Sequence, residues 1–212
     1  MLLSQAQAEP APLVIPAPDR YEPTGNPVYG AGTTGVLERR ESATAAALGD
    51  YQWTTYGGSA TFAGSASDTV TATASDIVSA AFTDRVTLKD MKAGTSTALT
   101  LPAGQLFKGS FGDAVLTATR DEGGAINGLH ILRKTADGLS DTPVTGLNGW
   151  VERYDTVLGG DTRSVAIWYA APDGTHGVGL LDLESASVRP ILPGATGGAG
   201  ARVVFSGTRL AW

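Results

Sequence analysis

The chain has 212 residues, with 42% apolar and 17% charged side chains, 28 glycines, 11 prolines and no cysteine. A formal net charge of −6 leaves no basic footprint for nucleic acid or for an anionic membrane surface. The missing thiols exclude disulfides, zinc–thiolate centres and cysteine nucleophiles, and the glycine and proline content argues against long helices.

Residues 1–8 end on Ala6-Gln7-Ala8, the small-x-small pattern of a signal-peptidase site. Glu9-Pro10-Ala11-Pro12 then reads as a mature start, although the basic region that opens a signal peptide is missing. Residues 1–8 are read as the residual tail of a signal peptide, with a disordered Ala/Gln leader as the alternative. The first reading predicts a secreted, extracellular protein. No run approaches the roughly 18 apolar residues that span a bilayer.

From residue 9 to residue 212 the pattern is strand and turn throughout. Leu13–Ile15 before Pro16, Leu99–Leu101 before Pro102 and Ile191–Leu192 before Pro193 read as outer strands, each stopped by a residue that cannot donate to a ladder. Looser strands follow at Tyr21–Tyr29, Ser65–Ala74, Gln105–Ser110, Val151–Val157 and Ala201–Ser206. Short apolar strands come next at Val36–Arg39, Ile77–Phe82, Ala114–Ala118, Ser164–Tyr169 and Arg209–Trp212. A third strand follows at Tyr51–Thr55, Val86–Lys89, Leu129–Arg133 and Val178–Leu183. The alternation in Val86-Thr87-Leu88-Lys89 is the period-two sign of a strand with one buried face. In the third unit the closing strand is placed at Leu147-Asn148. Asp121-Glu122-Gly123-Gly124 and Ala171-Pro172-Asp173-Gly174 carry turn chemistry, and residues 194–200 form a glycine-rich loop.

The phrase repeats about every 43 residues, which predicts an all-β, partial or complete β-propeller of four-stranded antiparallel blades. Residues 9–212 hold about four to five blades by this count. Trp212 falls inside a strand, so the ring is expected to continue in a longer protein.

The run Val86-Thr87-Leu88-Lys89-Asp90-Met91-Lys92-Ala93-Gly94-Thr95, continued by Leu101-Pro102-Ala103-Gly104 and Gly109-Ser110-Phe111-Gly112, resembles the N-terminal propeller region of secreted actinobacterial FG-GAP or VCBS repeat-containing proteins. Ala31-Gly32-Thr33-Thr34-Gly35-Val36-Leu37 with Tyr51-Gln52-Trp53-Thr54 fits the same pattern. The resemblance implies an extracellular, non-catalytic, repeat-built binding or surface protein. Such families often carry Asp-x-Asp-Gly-Asp calcium loops in later repeats. None is present here, so no metal residue and no cofactor is assigned, and calcium is expected only in regions beyond this chain.

Each candidate site also has a plainer role. Gly30-Ala31-Gly32-Thr33-Thr34-Gly35 matches a dinucleotide fingerprint, which needs a strand before it and a helix after it. Strands follow instead, so a glycine turn between two blade strands is the better reading. Trp53, Trp168 and Trp212 fall at strand positions and read as packing between blades. Trp150 lies in a loop, where an aromatic can stack on a sugar face, and His176 follows a turn. These two are the candidate ligand contacts. His130, inside a strand, reads as a structural histidine. No Gly-x-Ser-x-Gly elbow and no sialidase Asp-box occurs, and Asp121-Glu122 reads as a solvated turn, so no catalytic residue is assigned.

The expected function is an extracellular non-catalytic binding or scaffolding module, monomeric, with a glycan, a cell-wall polymer or a protein surface as partner. The alternative is the substrate-gating propeller of a larger secreted peptidase or hydrolase. Ser206-Gly207-Thr208-Arg209-Leu210-Ala211-Trp212 and Pro172-Asp173-Gly174 also fit that class.

Overall fold

A computed structural model describes residues 28–41, 48–120, 126–146, 157–170, 176–193, 204–206 and 209–211. The expected strand at Leu13–Ile15, residues 21–27 of the strand expected over Tyr21–Tyr29, residues 151–156 of that over Val151–Val157, the closing strand at Leu147-Asn148, the turns at 121–124 and 171–174 and the loop at 194–200 lie outside them. Among the described residues every regular element is a strand, and no helix is long and apolar enough to cross a membrane.

Four antiparallel sheets follow one another along the chain, each a meander of four sequential strands. The first holds β1 (Val28–Ala31), β2 (Gly35–Glu41), β3 (Leu48–Thr55) and β4 (Ala60–Gly64). The second holds β5 (Thr69–Ala72), β6 (Ile77–Phe82), β7 (Arg85–Asp90) and β8 (Thr95–Thr100). The third holds β9 (Gln105–Phe111), β10 (Ala114–Arg120), β11 (Ile126–Thr135) and β12 (Gly138–Pro143). The fourth holds β13 (Val157–Gly160), β14 (Ser164–Ala170), β15 (His176–Asp182) and β16 (Ser187–Pro193). A hairpin of β17 (Val204–Ser206) and β18 (Arg209–Ala211) comes last.

The sheets pack face to face, and the side-chain alternation of the strands supplies both faces. Leu37, Tyr51, Trp53 and Ala63 of the first sheet meet Val70, Ala72, Val78 and Ala80 of the second. Val86, Leu88 and Leu99 of the second meet Val115 and Leu132 of the third. Leu116, Ala118, Leu129 and Ile131 of the third meet Val165, Ile167 and Leu181 of the fourth. In β10, Val115 thus faces back while Leu116 faces forward, and five consecutive residues are buried. Full burial of each Leu or Ile stabilises by about 2 kcal/mol. β7 keeps the predicted alternation: Val86 and Leu88 are buried, whereas Thr87 and Lys89 are only half-buried.

First strands touch in series: β1 meets β5, β5 meets β9, β9 meets β13, and β13 meets β17. Three of these strands carry one extra residue at the same place. The register skips Tyr29 between Val28 and Gly30, Lys108 between Phe107 and Gly109, and Leu158 between Val157 and Gly159. Such bulges bend a strand and increase its twist. β5 pairs with β6 without a skip.

Strand order differs from the sequence reading in two places. The looser strand expected over Ser65–Ala74 resolves into a turn after β4, in which the Ser65 amide donates to Asp68, and the shorter strand β5. The outer strand of the third sheet is β12, not read from sequence at all. It is exposed along most of its length, so it lacks the apolar signature that marks a strand.

Candidate functional site

The fold gathers polar side chains at the seams between sheets. The first seam holds the glycine fingerprint. Residues 32–34 form the turn between β1 and β2, closed by the Gly32 amide on the Gly35 carbonyl at 2.9 Å. A side chain at Gly30 would collide with the Ala72 carbonyl, and one at Gly32 with the Asp76 carboxylate. The glycines therefore serve close backbone approach to the second sheet, and no helix follows to receive a pyrophosphate. Asp76 accepts hydrogen bonds from the Thr33 hydroxyl and, at 2.9 Å, from the Thr34 amide. Burial pushes its carboxyl up, but the bonds from Thr33 and Thr34 outweigh that and hold it below its ordinary value.

The second seam holds His130. Its Nδ1 lies 2.7 Å from Asp141 Oδ1 on the neighbouring strand. Asp141 Oδ2 accepts from Gln105 Nε2 at 2.7 Å, and Gln105 Oε1 accepts from the buried Thr117 hydroxyl. One side chain from each of β9, β10, β11 and β12 thus joins a single chain of hydrogen bonds on the face toward the second sheet. Leaving a buried polar partner unmade costs about 1–3 kcal/mol, so the chain braces the sheet. The sequence expectation of a structural histidine matches this geometry, although Gln105 and Asp141 were not singled out. Nothing in the local sequence joins them, because they stand 36 positions apart.

The second and third sheets also part into a cleft of about 290 Å³. Ile77 and Leu88 give it an apolar floor, Thr95 and Thr97 line one wall, and Asp90, Asp113 and Lys134 bring charge. That volume is at the small end for ligand sites, and the mixture of apolar floor and few polar groups is typical of them.

The fourth sheet carries the sequence candidate His176. Its ring lies 5.9 Å from that of Trp168, tilted by 46°. The register pairs Trp168 with Val178 and Ala170 with His176, so the two rings are diagonal neighbours on one face. That face points away from the third sheet, with Ala166, Val178, Leu158 and Ile191 packed beside Trp168. Trp168 and His176 are both partly exposed. Trp53, by contrast, is fully buried between the first two sheets, as its strand position predicted. Trp150 and Trp212 lie outside the described residues.

No family model, no curated protein and no solved structure matches the chain.

Proposed function

We propose that the chain is an extracellular, non-catalytic β-propeller module that binds or scaffolds, with a glycan or cell-wall polymer as its ligand. The observation that carries this reading is the serial contact of first strands, β1 to β5 to β9 to β13 to β17. Meanders packed through their first strands are what radial blades require. The resemblance to FG-GAP and VCBS repeat proteins and the Ala6-Gln7-Ala8 pattern support export. The Trp168–His176 pair supports the ligand class, since a fixed, partly exposed aromatic face stacks on the apolar face of a sugar ring.

A pull-down against a panel of insoluble cell-wall polysaccharides tests the reading, with His176→Ala and Trp168→Phe variants alongside. The expected result is retention on one polymer that weakens in the His176→Ala variant without a loss of thermal stability. Uniform failure to bind overturns the glycan ligand. Peptidase activity in the purified chain would overturn the non-catalytic assignment and the gating alternative alike, since a gating propeller carries no nucleophile of its own.

A further inference from the structure

We infer that the free edge of β8 accepts an added strand from another polypeptide, and that a basic side chain of that strand enters the cleft beside it.

The four outermost strands are not alike. β16 carries Arg189, Pro190 and Pro193, and its register with β15 shifts between Val178 and Gly179. β12 carries Asp141 and Pro143. β4 lies against a register shift at Tyr51 and Gln52, and Lys89 Nζ sits 4.5 Å over the ring of its Phe62. Prolines, charges and bulges are the devices that stop a sheet edge from pairing with a stranger. β8 has none of them. It reads Thr95-Ser96-Thr97-Ala98-Leu99-Thr100 and pairs with β7 residue by residue, from Thr95 opposite Asp90 to Thr100 opposite Arg85. Among the described residues its only strand neighbour in the sheet is β7. Threonine-rich, uncharged and regular, this edge offers unpaired N–H and C=O groups in strand geometry.

The cleft chooses the side chain. Thr95 and Thr97 line it, so the face of β8 that carries its odd-numbered residues borders the cavity. An added strand keeps the same period and sets every second side chain over that cavity. Within it two carboxylates, Asp90 and Asp113, stand against the single ammonium of Lys134. Asp90 Oδ1 already accepts the Lys92 and Ala93 amides. Asp113 is 75% exposed, and its nearest cation, Arg133 Nε, is 3.8 Å away. The Arg133 Nη2 atom is committed to the Leu183 carbonyl at 2.9 Å. Arg133 approaches only Oδ1 of Asp113, and among the described residues Oδ2 has no partner, so a Lys or Arg from the added strand can pair with it. The chain's net charge of −6 favours encounter with a basic segment.

The test uses the full chain and a blocked peptide of alternating threonine and valine with a central lysine, compared with its glutamate counterpart. Amide hydrogen exchange is mapped with and without each peptide. The expected result is slower exchange confined to Thr95–Thr100, with the lysine peptide binding about fivefold tighter than the glutamate peptide at low salt. Higher salt narrows that gap. Asp113→Asn is expected to reduce the preference while β8 stays protected. Thr97→Pro and Ala98→Pro sort the backbone term, because neighbouring amides point to opposite sides of a strand. One variant loses a ladder bond to β7, and the other loses an outward donor and binds about tenfold more weakly. If neither variant folds, the exchange map of the unaltered chain decides alone. Unchanged exchange in β8, or protection elsewhere, overturns the docking edge. Equal affinity for the two peptides at low salt overturns the basic side chain. Protection of β8 that grows with protein concentration alone makes a second copy the occupant and overturns the foreign partner. The Trp168–His176 pair is a separate site, so either outcome leaves the glycan reading untouched.

Discussion

Two hairpin turns in this molecule follow the same plan and finish it differently. In the second sheet, Asp90 ends β7 and its Oδ1 accepts the Lys92 and Ala93 amides. In the fourth sheet, Asp182 ends β15 and its Oδ1 accepts the Glu184 and Ser185 amides. Four residues after each aspartate the backbone turns left-handed. Gly94 has φ +69° and Ala186 has φ +50°. A side chain at Gly94 would meet nothing. Ala186 is 3% exposed, packed into the core between the third and fourth sheets, and its carbonyl accepts the Thr145 amide at 2.8 Å. The left-handed region costs an L-residue about 1–2 kcal/mol. Burying one methyl returns about 0.8 kcal/mol. The open turn therefore uses glycine, whereas the covered turn tolerates alanine because its methyl is buried.

The largest test of that contrast lies one residue after each aspartate. Leu183 is 1% exposed in the core beside Ala186, whereas Met91 is only partly buried against the core of the first two sheets. Leu183→Ala is expected to destabilise by about 3 kcal/mol and Met91→Ala by about 1 kcal/mol, read from chemical denaturation. Equal losses would mean that both turns are covered alike.

The backbone itself gives a middling effect. Gly94→Ala introduces left-handed strain with no new contact, and about 1 kcal/mol of stability is expected to go. Ala186→Gly removes strain and a buried methyl together, and the expected change is within about 0.5 kcal/mol of zero. Thermal melts of the pair check this, and a large loss in Ala186→Gly would show that the methyl outweighs the strain.

The smallest effect is electrostatic. The Ser185 amide and hydroxyl, with the Glu184 amide, hold the Asp182 carboxyl below its ordinary value. A carboxyl depressed in the folded state stabilises above its unfolded pKa and loses that contribution as pH falls through the folded value. The stability difference between the unaltered chain and Asp182→Asn is expected to be flat near neutrality and to shrink below about pH 4. Melts over a pH series measure it, and a difference that grows on acidification would contradict the hydrogen-bond account.

Much of the sheet order was legible from sequence, for a physical reason. The second and third strands of each sheet bury both faces or alternate cleanly, as Ile77–Phe82 and Arg85–Asp90 do. Hydrophobic pattern marks such strands. The outer strands were harder to see. Gly138–Pro143 is exposed along most of its length and ends in proline, and Ala60–Gly64 is exposed over its first three residues. The seams were not legible. Gln105, Thr117 and Asp141 meet only once the sheet has formed, and Asp113 reaches the cleft through a turn whose sequence names no partner. Of the two ligand candidates, His176 gained a neighbour in Trp168, and Trp150 stands outside the described residues.

The meander within each sheet has a consequence for how the chain folds. Every pairing inside a sheet joins strands that are adjacent in sequence, so closing those loops costs little entropy and each sheet can form locally. Its apolar faces are satisfied only by the sheet before and the sheet after. The molecule thus approximates a one-dimensional chain of coupled units, in which cooperativity resides at the seams. Damage at one seam loosens its two neighbours first and reaches more distant sheets only by way of them.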